Sequence, residues 1–126
     1  MDIRVRQTLL YDFYGELLND HQKSVYSAYL FDDMSYTELA DEFGGSRQAA
    51  FDLIRRINGK LEDYEKRLGL LERFLNARKN MQELADSINR VKEQIDASDI
   101  DSKDKKKISD DLEIIKSRSE DIFEDF

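Results

Sequence analysis

Cysteine and proline are absent from these 126 residues, glycine occurs five times and histidine once. Without cysteine there is no disulfide framework, no thiolate zinc site and no thiol nucleophile. Without proline, and with so few glycines, little interrupts a helix. No apolar run approaches the length that spans a bilayer, and the N-terminus has neither the basic start nor the apolar core of a secretory signal. A cytoplasmic protein without a membrane partner is expected. Catalytic signatures are missing too: there is no phosphate-cradling glycine loop, zinc motif or nucleophile elbow. His21 follows a cap and reads as a first-turn surface residue. The run Asp96-Ala97-Ser98-Asp99-Ile100-Asp101-Ser102 lacks the central glycine and closing glutamate of a calcium loop, so turn chemistry explains it better. No catalytic residue, metal ligand set or cofactor is expected; the chain reads as a non-enzyme.

What is present is helical. Charged residues make up 38% and apolar residues 40%, mostly in helical spacing, so the fold class is all-α. Residues 4–18 place Val5, Leu9, Phe13 and Leu17 on one stripe, widened by Leu10, Tyr14 and Leu18. Asp20 is the expected cap of a second helix from His21 to Phe31, with Val25, Ala28 and Tyr29 inward. Next comes SYTELADEFGGSRQAAFDLIRR, from Ser35 to Arg56. Ser35 with Glu38 forms a capping box, Gly44 and Gly45 make positive φ cheap, and Ser46 can cap again at once. Cap, short helix, glycine turn, cap and longer helix make a helix-turn-helix. Leu39 and Phe43 face Ala50, Leu53 and Ile54 in it, with the small Ala40 at the crossing.

The outer face of the second helix carries the candidate DNA-binding residues: Ser46, Arg47, Gln48, Phe51, Arg55, Arg56 and Lys60. Arginine and glutamine there suit bidentate contact with base edges or phosphates, and Arg55, Arg56 and Lys60 suit phosphate anchoring. Equally, Arg55, Arg56 and Lys60 could form a solvated face pairing with Asp52, Glu62 or Asp63. Net charge is −8, an unusual balance for a DNA binder. Between Ser46 and Lys60, however, Arg47, Arg55, Arg56 and Lys60 outnumber Asp52, leaving a local +3. Distant exposed acids are screened beyond about 10 Å at moderate salt.

Past Arg56 the apolar spacing alternates three and four through Leu61, Tyr64, Leu68, Leu71 and Leu75. It resumes after a slip at Met81, Leu84, Ile88, Val91 and Ile95, with Gly69 the expected break. A turn at Asp96–Lys103 precedes a last helix striped by Ile108, Leu112, Ile115 and Ile122. Residues 1–70 thus read as the helix-turn-helix domain, and 71–126 as a helical tail, an antiparallel pair used for packing or dimerisation. A homodimer would supply two reading helices.

The stretch Asp12-Phe13-Tyr14-Gly15 with Leu17-Leu18, then Asp20, Gln22 and Asp32-Asp33, resembles the YlxM family of small bacterial helix-turn-helix proteins. So do Ser46-Arg47-Gln48-Ala49 with Asp52, Ile54 and Arg56, and Leu61-Glu62-Asp63-Tyr64-Glu65-Lys66-Arg67-Leu68. The resemblance covers about residues 5–70 and implies a domain similar to region four of bacterial sigma factors, its second helix the DNA reader. It also implies association with the signal recognition particle pathway, an inference from gene neighbourhood. The family usually has valine or isoleucine where Gly45 stands, a branched residue at Ala50, and tyrosine or histidine at Phe51. The first two departures imply a lighter turn and core. Two readings follow: a DNA-binding regulatory protein, or an accessory protein contacting a protein or ribonucleoprotein of the secretion-targeting machinery.

Overall fold

A computed structural model describes residues 1–125, in six α-helices with no strand among the described residues. They are α1 (Ile3–Tyr14), α2 (Asp20–Leu30), α3 (Tyr36–Phe43), α4 (Arg47–Leu68), α5 (Leu70–Asp96) and α6 (Ser102–Glu124). The chain divides into two compact units, Met1–Glu72 and the segment from Arg73 onward.

In the first unit α4 packs against α1, α2 and α3. Of the two adjacent stripes on α1, the buried one is Leu10, Tyr14 and Leu18; Val5 and Leu17, expected inward, lie about half exposed. The helix also ends earlier than expected, tightening into a 3-10 turn at Gly15–Leu17. The cap of α2 is Asn19 and not Asp20. Asn19 Oδ1 accepts from the Gln22 amide at 2.8 Å, and Gln22 Oε1 accepts in return from the Asn19 amide at 3.1 Å. A box on Asp20 would need an acceptor at position 23, where Lys23 can only donate. On α2, Val25 and Ala28 are buried as expected, but Tyr26 and Leu30 join them in place of the half-buried Tyr29.

The helix-turn-helix forms where its local signals place it. Ser35 and Glu38 make the box on α3, and Ser46 Oγ accepts from the Ala49 amide at 3.0 Å at the head of α4. Between them Gly44 and Gly45 adopt φ of +91° and +86°, a region L side chains rarely enter. Leu39, Ala50, Ile54, Ile57 and Leu61 close the core.

The α4–α5 junction is an elbow at Gly69, which is left-handed. Glu65 secures it: one carboxylate oxygen accepts from the Tyr14 hydroxyl at 2.6 Å and the Leu71 amide at 2.8 Å, the other from the Glu72 amide at 3.1 Å. The Tyr14 oxygen accepts in turn from the Leu70 amide at 3.0 Å. A carboxylate thus satisfies the first amides of α5, where the helix dipole favours negative charge.

In the second unit α5 and α6 run antiparallel. Lys105 Nζ donates to the Asp96 carbonyl at 3.0 Å, Lys92 pairs with Glu113, and the Phe74 and Phe123 rings stack 5.3 Å apart. Ile88 is the buried apolar side chain there. Ile115 and Ile122, expected on the inner stripe of α6, are exposed; Ile108, Leu112, Ser119 and Phe123 take the half-buried positions.

Candidate nucleic-acid interface

Packing alone exposes one side of α4. Its core face uses Ala50, Ile54, Ile57 and Leu61, so Arg47, Gln48, Phe51, Asp52 and Arg55 project outward from the first turns. Ser46 begins the strip, its hydroxyl engaged in the cap. The first turn of α4 holds no acidic residue, so nothing covalently near offsets its positive dipole end.

Aromatic rings hold this strip in place. Phe51, 37% exposed, meets Tyr36 edge to face at 5.2 Å, and the Arg47 guanidinium lies 5.8 Å from the same ring. Tyr36 stacks on Tyr29 at 6.2 Å with 11° between planes, and Arg4 lies 4.8 Å above Tyr29. Two cations therefore flank a tyrosine pair. Burial, then the neighbouring Tyr29, raises the Tyr36 hydroxyl above the usual tyrosine range, keeping it neutral. Arg4, Tyr29 and Tyr36 thus lie beside the strip although they are not among the residues expected there. A tyrosine directly after a helix cap beside an exposed reading helix was the available signal for Tyr36; Arg4 offered none.

Two acids farther along α4, Glu62 and Asp63, pair away from the strip. Glu62 takes Arg6 in a fork at 2.7 and 2.8 Å, and that hydrogen-bonded guanidinium pulls its carboxyl below the usual glutamate range. Asp63 pairs with Arg67 at 3.1 Å. Asp52 Oδ1 accepts from Gln48 Nε2 at 3.2 Å, and Arg56 Nε reaches only the Asp52 backbone carbonyl at 3.4 Å. Among the described residues no ion pair joins Arg47, Arg55, Arg56 or Lys60 to an acid.

The seven sequence-picked residues do not form one cluster. Ser46, Arg47, Gln48, Phe51 and Arg55 share the strip. Arg56 and, one turn on, Lys60 lie round the helix on another flank. There Arg56 borders a hollow of about 270 Å³ lined by apolar groups of Val25, Leu39, Phe43, Ala50 and Leu53, with His21 at its edge. That hollow lies where Ala50 and the glycine turn lighten the core. Among the described residues no group of three or more His, Cys, Asp or Glu is placed to hold a metal ion, and no helix is long and apolar enough to cross a membrane.

Comparison with known proteins finds the same helix-turn-helix. The family described as "Putative helix-turn-helix protein, YlxM / p13 like" matches residues 1–108. A UPF0122 protein of Shouchella clausii is 44% identical over 88 residues, covering 70% of this chain and 81% of the relative. One from Halalkalibacterium halodurans is 39% identical over 90 residues, covering 71% and 83%. One from Listeria welshimeri is 47% identical over 79 residues, covering 63% and 72%.

Proposed function

Because the chain belongs to the YlxM / p13-like helix-turn-helix family, we propose that it is a DNA-binding regulatory protein of the cytoplasm. It acts without catalysis or cofactor, through the exposed strip of α4. One observation carries the reading. The head of α4 is capped, free of acids in its first turn, and presents Arg47, Gln48, Phe51 and Arg55 outward with no carboxylate on either arginine. That arrangement suits the major groove: Arg47 and Gln48 can take base edges or phosphates, Phe51 can meet a thymine methyl, and Arg55 can anchor the backbone. Arg56 and Lys60 serve as flank anchors. A homodimer would set two such helices on paired half-sites.

Anisotropy titration of a labelled random-sequence duplex pool across a salt series tests this. Arg47→Ala with Arg55→Ala should weaken binding and flatten the salt slope by about two units, at roughly 0.9 per phosphate contact. Unchanged affinity and slope would defeat the assignment. The net charge of −8 favours a second reading, an accessory protein on a protein or ribonucleoprotein of the signal recognition particle pathway. Capture of targeting components that survives the arginine changes but fails on Leu84→Asp would select it.

A further inference from the structure

Beside the head of α4 lies a hollow of about 480 Å³, bordered by Arg4, Tyr29, Asp33, Tyr36 and Arg47. We propose that this hollow seats one backbone phosphate of bound duplex DNA, and that the Asp33 carboxylate is the internal anion which that phosphate displaces. The inference rests on the DNA-binding reading and extends it to residues outside the helix-turn-helix.

Two guanidinium groups converge on the space from different helices, Arg4 from α1 and Arg47 from α4. Each is steadied by a ring of the stacked Tyr29–Tyr36 pair, so neither must be immobilised when an anion arrives. Arg47 is also the first residue of the reading helix, which puts an anion held here beside the strand that α4 would read. A planar guanidinium with several donors suits phosphate oxygens better than a point charge does.

Asp33 already occupies part of that role. Its Oδ1 accepts from Arg4 Nη2 at 2.6 Å, although its side chain is 88% exposed. The residue holds φ of +54°, and no other non-glycine residue has positive φ among the described residues. In this turn, which the Met34 amide closes on the Ala28 carbonyl at 3.2 Å, the left-handed backbone brings a carboxylate to Arg4, yet so exposed a pair contributes little to stability. Exchange for a phosphate is correspondingly cheap. Arg4 keeps its position meanwhile through the Tyr29 carbonyl, to which both terminal nitrogens donate, at 3.4 and 3.5 Å.

The test is a double-mutant cycle on the full chain with the same random duplex pool and salt series. Asp33→Asn tolerates the left-handed backbone and removes the competing charge; it should tighten binding several-fold. Arg4→Gln should weaken binding and flatten the salt slope by about one unit. In the Arg4→Gln background the gain from Asp33→Asn should vanish. No gain from Asp33→Asn, or a gain that persists without Arg4, overturns the inference. If Arg4→Gln fails to fold by circular dichroism, Asp33→Asn alone decides. Binding that depends on Arg47 and Arg55 but ignores Arg4 and Asp33 sinks this inference alone, whereas wild-type protein that binds no duplex sinks the DNA reading with it.

Discussion

Tyr26 is fully enclosed, and its hydroxyl donates to Asn58 Oδ1 at 2.5 Å. Burial, with a smaller push from Tyr29, raises its ionisation well above the ordinary tyrosine range. A raised folded-state value means that the unfolded chain releases the proton first. Stability is therefore full below the unfolded value of about 10 and falls as pH rises beyond it. Tyr14 and Tyr36 shift in the same direction, burial being the largest cause for each. Tyr26→Phe should cost about 1 kcal/mol near pH 8 through the lost hydrogen bond. In urea melts the gap from wild type should narrow above pH 10, because phenylalanine has no proton to lose. A gap that stays constant would exonerate Tyr26 as a titrating group. At this scale the sequence is least legible. The partners of Tyr26, Tyr14 and Arg4 lie 32, 51 and 29 residues away along the chain, and no local spacing encodes them.

Elements were more legible, because their ends are specified by neighbouring residues. The α3–turn–α4 unit follows from two serine caps and a pair of glycines, all within a dozen positions. The stripe of α1 and the inner face of α6 were harder. Adjacent apolar rows at helical spacing are equivalent until a neighbour packs on one of them. The regular three-four spacing past Arg56 was misleading in part: the Gly69 elbow leaves Leu68 55% exposed while Leu61 and Leu71 are buried. Two glycine substitutions separate backbone cost from space. At both Gly44 and Gly59 an added Cβ meets nothing within 4 Å, but Gly44 has φ +91° whereas Gly59 lies within α4. Gly44→Ala should therefore destabilise by about 1–3 kcal/mol, through conformation alone. Gly59→Ala should stabilise by about 0.5–1 kcal/mol by raising helix propensity. Denaturant midpoints moving the same way for both would contradict the assigned turn.

Across the whole molecule the two units differ in how much they enclose. The first shuts away Leu10, Tyr14, Val25, Tyr26, Leu39, Ile54, Ile57, Leu61 and Leu71. The second has Ile88 at 5%, while Leu84, Val91, Ile114, Ile115 and Ile122 are between 39% and 74% exposed. Ordering a residue costs about 1–2 kcal/mol in backbone entropy, so a helix pair with so little closed-off surface gains by burying more over its fifty or so residues. We propose that another surface covers it. The proposed cover is the same unit of a second copy, since two amphipathic hairpins can close into a four-helix bundle. A fragment of residues 1–72 should then be a folded monomer, with one cooperative urea transition. The full chain should sediment as a dimer, and Leu84→Asp should return it to monomer while leaving the transition of the first unit in place. The helicity of α5 and α6 should fall with dilution through the same concentration range as the dimer. A full chain that stays monomeric while its second unit melts cooperatively and independently of concentration would show that the hairpin encloses enough by itself. Paired reading helices would then have no basis in this tail.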